Sequence, residues 1–260
     1  MQATSAISAV RGHIPDATPR RTYARLIGAL FIIGFLTYGT GFGLINSVIT
    51  ASDFPANISA VQTTLLIGAF LMLLNTVVDI GKGVLFFPIL ENHGKRTAFV
   101  YLAAIVVQVV FLDIGALFLL MLVPLAQIAA DAGPSSSAWA PGIASLLTES
   151  NTFAYNIGQA TLSFGGVFLC LLLYRTRLIP QLLAGLGVLG YVMHAGGAIS
   201  EIFGLQISLY LLIPGMIFEV GIAFWLIIKG FQPAAVAIGS AVTADGLGAG
   251  PAAAPAGAGS

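Results

Sequence analysis

Residues 65–90 read LLIGAFLMLLNTVVDIGKGVLFFPIL, a hydrophobic run that also holds charges of both signs. Asn75, Asp79 and Lys82 lie at positions i, i+4 and i+7, which is one face of a helix. A charge at the centre of a bilayer costs about 2.5 to 3.5 kcal/mol even on a lenient insertion scale. We therefore expect this polar face to point toward other helices or a wet cavity, with the rest of the chain around it.

The composition is typical of a membrane protein. Of 260 residues, 58% are hydrophobic and 8% are charged, with a mean hydropathy of +0.98, whereas soluble domains carry about 25% charged residues. No basic face is present, so nucleic acid is not a predicted partner. The single cysteine, Cys170, lies in an apolar run and is interpreted as a small buried hydrophobe.

Six hydrophobic runs are long enough to span a bilayer, which takes about 20 residues. They predict an all-α, polytopic membrane protein with six transmembrane helices, at approximately residues 25–47, 64–90, 97–122, 152–174, 181–203 and 208–229. The six-helix domain at 25–230 follows an N-terminal tail at 1–24, which lacks the apolar core of a secretory signal. Residues 231–260, rich in Ala, Gly and Pro, predict a disordered tail.

The basic residues predict the orientation. Nine of the ten fall on one side of the predicted membrane, and the tenth is Lys82. The nine are Arg11, Arg20, Arg21, Arg25, Lys95, Arg96, Arg175, Arg177 and Lys229. By the positive-inside rule, both termini are predicted to be cytosolic.

The longest connection, Pro124 to Asn151, is predicted to be external. Its segment PGIASLLTES predicts a short separate helix, with Pro141 near its first turn. The apolar face of this helix would consist of Trp139, Ile143, Leu146 and Leu147. Such a helix could cover an external opening or act as a spacer on the membrane surface.

Five ionisable residues of four predicted helices lie at similar depth, counting about 1.5 Å per residue from the basic side. They are Asp79, Lys82, Asp113, His194 and Glu219. Ionisable residues inside a membrane favour a functional site, here a polar centre of Asp79, Lys82 and Glu219 with His194 and Asp113 as relay groups. Gln159 and Tyr191 share faces with other polar residues of helices 4 and 5 and are predicted to be outer contacts.

Each of these groups also has a structural interpretation. Asp79 and Lys82 could neutralise each other, or Lys82 could extend toward the cytosol. Glu219 could be a protonated carboxyl or a partner of Lys82 or His194, and His194 alone is more typical of a packing residue than of a ligand. In helix 1, Gly39 and Gly43 predict a surface for close helix packing.

Enzyme motifs are missing from the sequence. It contains no H-E-x-x-H, no G-x-S-x-G, no P-loop and no pair of intramembrane histidines for haem. No catalytic residue, metal site or cofactor is therefore predicted. An intramembrane enzyme acting on a lipid or quinone beside His194 is a third hypothesis.

Three segments carry a resemblance to a known family. They are RTYARLIGALFIIGF at 21–35, FAYNIGQATLSFGGVFLCLLLYRTRLIPQLLAGLGVLGY at 153–191 and IPGMIFEVGIAFWLIIKGF at 213–231. Together they resemble the DUF4386 family of uncharacterised bacterial integral membrane proteins, over roughly 20–230. In that family an arginine is expected near Gln108 and an acid near Asp79. The resemblance implies a six-helix membrane domain and no particular reaction.

The leading hypothesis is a small permease, or an ion- or proton-handling protein, in a bacterial cytoplasmic membrane. Its partners would be the lipid bilayer and an ion or small-molecule substrate. The alternative is a non-catalytic accessory or sensory subunit whose intramembrane charges hold its helices together. The sequence predicts no particular protein partner.

Overall fold

The computed structural model of the protein describes residues 17–56 and 58–233. All regular structure in these two ranges is helical, which confirms the predicted all-α class. The helices are α1 (Ala17–Ile49), α2 (Ile58–Leu120), α3 (Leu122–Ala132), α4 (Ala140–Thr176), α5 (Gln181–Ile202) and α6 (Ser208–Ile228), with a 3-10 helix at Gly133–Ala138.

Five helical segments in the described ranges are long and apolar enough to cross a membrane. They lie in α1, in α2 continued through α3, and in α4, α5 and α6. Large apolar side chains also cover the outside of the bundle: Leu36, Phe70 and Phe164 are each more than 60% exposed. An apolar surface of this extent is stable against lipid rather than water, so the fold is that of a membrane protein.

Helix α2 reverses direction at Gly94, where φ is −177° and ψ is 81°. Its two arms, 58–93 and 95–120, pack side by side. The rings of Phe86 and Tyr101 lie 5.9 Å apart, and those of Phe87 and Phe99 lie 5.0 Å apart. Because both ring pairs are centred within one residue of Gly94 in the sequence, the arms form an antiparallel hairpin at the positions of predicted helices 2 and 3.

One end of the bundle, which we call the basic end, holds the start of α1, the reversal in α2, the end of α4 and the end of α6. There Gly230, just after α6, lies against Arg21 of α1, and Gly94 lies against Leu172 of α4. The opposite end holds the end of α1 and the starts of α2 and α4. The basic residues of the described ranges, except Lys82, therefore gather at one end.

Two apolar clusters fill the bundle. The cluster toward the basic end draws on α1, α2, α4, α5 and α6 and includes Phe86, Leu169 and Phe218, which are fully buried. The cluster at the opposite end includes Ile45, Leu65 and contributions from α3 and α4. Among the described residues, none of its members belongs to α5 or α6. The five long helices α1, α2, α4, α5 and α6 are thus packed together more completely at the basic end.

The prediction of a separate short helix at 141–150 is wrong, because this segment forms the first turns of α4. Ala140, Ala144 and Leu147 are its buried side chains, while Ile143 and Leu146 are exposed. The polar run TESN at 148–151 interrupts the hydrophobicity of the chain but does not interrupt its helical hydrogen bonding. Hydropathy therefore placed the start of the helix about twelve residues too late.

The chain tails lie mostly outside the described ranges. This holds for residues 1–16 of the predicted N-terminal tail and for 234–260 of the predicted disordered tail. Residues 17–24 belong to α1. At the other end, Phe231 packs on Phe86 at 6.0 Å, and the Gln232 N–H donates to the Leu178 carbonyl at 2.8 Å.

The close contact between α1 and α2 is made by Gly41 and Gly68 rather than by Gly39 or Gly43. A Cβ on Gly41 would come within 2.8 Å of the Gly68 carbonyl oxygen, whereas one on Gly39 or Gly43 would meet no atom within 4 Å. The prediction that Gly39 and Gly43 form the packing surface is wrong. The packing glycine lies between them, on the face turned toward α2.

We expect Gly41→Ala to lower the free energy of unfolding by about 1 to 3 kcal/mol, because the added methyl group meets backbone. Gly43→Ala is the matched control and should be neutral or slightly stabilising, since its methyl group enters open space and alanine favours the helix. Thermal unfolding of both purified variants in detergent, followed by circular dichroism, measures the difference. Equal melting temperatures for the two variants would contradict this packing.

Candidate functional site

A cavity of about 320 Å³ lies inside the bundle, between α1, both arms of α2, α4, α5 and α6. Its volume is at the lower end of the range for small-ligand sites, about 300 to 1,000 Å³. The polar side chains that line it are Tyr38, Asn75, Asp79, Lys82, Gln108, Tyr155, Gln159, Tyr191, His194 and Glu219. Six of the seven residues predicted from the sequence are therefore brought together, and Asp113 is not among them.

Asp79 is the most completely bonded group of the cavity. Its Oδ1 forms an ion pair with Lys82 Nζ at 2.6 Å, and its Oδ2 accepts hydrogen bonds from Asn75 Nδ2 at 3.1 Å and Gln108 Nε2 at 3.3 Å. The residue is 5% exposed. Three donors on two oxygens offset the cost of removing a carboxylate from water.

Gln108 is a hydrogen-bond partner of Asp79 that no pattern in the sequence predicts. It lies on the second arm of α2, opposite Asp79 on the first arm, because the hairpin is centred on Gly94. An antiparallel register about Gly94 would have predicted this pairing, but the sequence alone does not show that the reversal takes so few residues. Gln108 is also the position where an arginine is expected from the family resemblance.

Lys82 lies in a confined setting between α1 and α2. Its ammonium group is 4.6 Å from the centre of the Phe31 ring, in a cation–π contact, and also pairs with Asp79. Gly34 of α1 makes room for this arrangement, since a Cβ there would lie 3.8 Å from Lys82 Nζ and 3.2 Å from Asn75 Oδ1. The sequence left two structural interpretations of Lys82, pairing with Asp79 or extension toward the cytosol. The structure contains the ion pair with Asp79.

Glu219 of α6 is the second carboxyl group of the cavity. Tyr191 of α5 donates its hydroxyl hydrogen to Glu219 Oε1 at 3.0 Å. Within the ranges 17–56 and 58–233 the only ion pair is that of Lys82 with Asp79, so Glu219 has no cation bonded to it. The cavity therefore holds two carboxyl groups and one ammonium group.

Tyr191 is positioned by glycines of the neighbouring helices. A Cβ on Gly166 of α4 would come within 2.7 Å of the Tyr191 ring, so only glycine allows the ring to lie there. Gly190 likewise packs directly on Gly215, which brings α5 and α6 together one turn from Glu219. These contacts hold the Tyr191 hydroxyl within hydrogen-bonding distance of the carboxyl group.

Two tyrosines extend the polar lining toward the opposite end. The rings of Tyr38 on α1 and Tyr155 on α4 stack with centres 5.8 Å apart. Both residues lie in apolar runs, where an aromatic residue is usually a packing residue. For this reason the sequence offers no signal that separates them from the other tyrosines.

The remaining predicted residues differ in their placement. Gln159 is buried in the wall formed by α4, and His194 lines the cavity from α5. Asp113 lies outside the cavity, and its Oδ1 is buried with no hydrogen-bond partner in the described part of the chain. Among the same residues, no group of three or more His, Cys, Asp and Glu side chains is arranged to hold a metal ion.

The fold and its cavity define a helical membrane protein with a polar centre. The chain belongs to the DUF4386 family, since the model for that family, described as a domain of unknown function, matches residues 26–230. This match confirms the resemblance inferred from the sequence. No curated protein and no solved structure matches the chain. The family description supplies no reaction.

We expect Lys82→Met to lower the free energy of unfolding by about 3 to 5 kcal/mol, because it leaves the Asp79 carboxylate buried without its cation. The double variant Asp79→Asn, Lys82→Met should recover a large part of that loss, because it removes both charges. A double-mutant cycle measured by thermal unfolding yields the coupling. Additive effects of the two substitutions would show that the pair does not stabilise the fold.

Proposed function

We propose that the protein is a small permease-type membrane protein that binds a proton or a small cation in its central cavity and moves it across the bilayer. The observation that carries this proposal is that Glu219 and the Asp79–Lys82 pair line one cavity. Ionisable groups that share a cavity within a membrane mark an ion or substrate pathway by default.

The balance of charges favours a cation over an anion. Lys82 is already neutralised by Asp79, so the pair attracts neither sign strongly. Glu219 has a hydrogen bond from Tyr191 but no ion pair. A carboxylate in a low-dielectric site gains most from a proton or a bound cation, which supplies the missing positive charge. His194 and Gln159 provide further polar contacts in the same cavity.

We further propose that the chain crosses the membrane six times, with both termini in the cytosol. Support comes from the reversal at Gly94, which makes two antiparallel arms of α2, each long enough to span. Further support comes from the basic end, where the positive-inside rule expects the cytosol. A bacterial cytoplasmic membrane fits this arrangement.

Thiol labelling in intact cells tests this topology. In a Cys170→Ala background, a cysteine in place of Ser135 should react with a membrane-impermeant maleimide added outside the cells. A cysteine in place of Asn92, next to the reversal in α2, should react only after permeabilisation. Both positions are exposed in the structure, so access depends on the side of the membrane. Labelling of the Asn92 position from outside would contradict the six-crossing topology.

For the transport proposal, we expect Glu219→Gln to reduce proton or monovalent-cation flux into liposomes at least tenfold, because the amide cannot carry the charge. Asp79→Asn should have a similar effect, since it unpairs Lys82 inside the cavity. Flux is followed with a trapped pH-sensitive dye under an imposed H⁺ gradient, and with trapped Na⁺- and K⁺-sensitive dyes under Na⁺ and K⁺ gradients, at matched amounts of folded protein.

Two further variants give this experiment its controls. Glu149→Gln removes an exposed acid that does not line the cavity and should keep the parent flux. Asp113→Asn tests the relay role predicted for Asp113 from the sequence. A relay role predicts loss of flux, whereas the position of Asp113 outside the cavity predicts that the flux is kept. Parent-like flux in Glu219→Gln would rule out a pathway through this carboxyl group.

The second candidate is an accessory or sensory membrane subunit whose charges are structural. The bonding of Asp79 by Lys82, Asn75 and Gln108 favours it, because three donors leave little of the carboxylate free for a ligand. On this alternative the parent protein shows no flux, and Asp79→Asn and Glu219→Gln only lower its melting temperature. The protein would then also be expected to co-purify with a larger membrane assembly.

A further inference from the structure

The line of contact between α1 and α6 is closed in the half of the bundle nearer the basic end. A Cβ on Gly28 of α1 would come within 2.6 Å of the Ala223 carbonyl oxygen of α6. Ile27 on α1 and Ile222 on α6 are fully buried in the same region. The two backbones are therefore in direct contact, and no ligand can pass between them here.

The same line of contact is open in the half nearer the opposite end. No residue of α6 from 208 to 214 is buried, and a Cβ on Gly39 of α1 would meet no atom within 4 Å. Each helix packs elsewhere in this half: Gly41 of α1 faces Gly68 of α2, and Gly215 of α6 faces Gly190 of α5. The two helices therefore diverge toward different neighbours.

The central cavity reaches this opening. Phe42 of α1 and Met216 of α6 both line the cavity, and they are 53% and 42% exposed. Gly39 and Leu212 line it between them. We call these four residues the α1–α6 mouth. At this depth of two spanning helices the surroundings of the bundle are lipid, so an opening between α1 and α6 leads sideways into the bilayer.

The chemistry of the cavity changes along its length. Its deep wall carries Glu219, Asp79 and Lys82, while the mouth is aromatic and aliphatic. Leu212 and Glu219 are seven residues apart on α6, which is about 10 Å at 1.5 Å per residue. A molecule that fits both regions has a polar head and an apolar chain that is long enough to extend through the mouth.

We propose that the cavity takes its ligand laterally from the bilayer, through the α1–α6 mouth, and that this ligand is an amphiphile with a cationic head and one apolar chain. This inference concerns the same cavity as the proposed function and goes beyond it, since the ligand is an amphiphile rather than a proton or a small cation. The head lies beside Glu219, the carboxyl group without an ion-pair partner. The chain lies against Phe42 and Met216 and continues into lipid.

Photolabelling of the full chain in lipid nanodiscs tests the proposal. The probe is dodecylamine with a diazirine on its chain, and the comparison probe is the corresponding dodecanol, which has a neutral head. We expect amine adducts to concentrate on Phe42, Leu212 and Met216 and to fall at least fivefold with excess unlabelled dodecylamine. Glu219→Gln should reduce them to the level of the alcohol probe.

The mouth itself is tested by a matched pair of glycine variants. Gly39→Leu places a side chain in the mouth and should reduce amine adducts at least fivefold. Gly43→Leu lies one turn further along α1, outside the cavity, and should leave them unchanged. Both side chains enter open space, so both variants are expected to fold, which equal melting temperatures would verify.

The outcomes separate this inference from the proposed function. Adducts spread over lipid-facing residues such as Phe70 and Phe164, and unaffected by Gly39→Leu, overturn the lateral mouth. If cation flux in liposomes still depends on Glu219 in that case, the proposed function stands with an inorganic ion as ligand. Adducts at the mouth that depend on Gly39, with flux independent of Glu219, support the amphiphile site and overturn ion transport.

Discussion

The Asp79 carboxylate is the constraint on which the rest of the structure depends. A charge removed from water in the middle of a helical bundle must be paired and hydrogen-bonded, and Asp79 obtains its three partners from both arms of α2. Lys82 and Asn75 come from the same arm and fix which face of that arm points inward. Gln108 comes from the other arm and fixes the register between the two. The apolar packing of Phe86 against Tyr101 follows from the same register.

Glycines determine how closely the other helices approach this centre. At Gly34, Gly166 and Gly190 a side chain would meet Asn75, Tyr191 or the backbone of Gly215 at 3.2 Å or less. Without an aqueous phase to drive helices together, small residues gain stability by allowing dense packing. Here they also bring polar groups of several helices within reach of one another. Composition shows that glycine is abundant, with 31 residues, but not which of them carry these contacts.

The sequence predicted the parts of this protein that depend on short-range periodicity and on charge. The spacing of Asn75, Asp79 and Lys82 predicted an inward polar face, and the hydrophobic runs predicted the helical class. Contacts between distant segments were not predictable in the same way. Gln108, Tyr38 and Tyr155 became part of the site only through helix register, which leaves no local pattern. Asp113 shows the converse, because depth along a helix does not specify the direction in which a side chain points. The early start of α4 shows that helix and membrane span have different boundaries.

The tight reversal at Gly94 has a consequence for how the chain enters a membrane. If the first arm of α2 entered lipid alone, Asp79 would have only the donors of its own arm. If both arms enter as a hairpin, Gln108 lies opposite Asp79 from the start, and the ring pairs beside Gly94 form between residues close in sequence. Contacts between nearby residues form at little cost in chain entropy. The hairpin is therefore the smallest part of this chain in which the acid has all three of its donors.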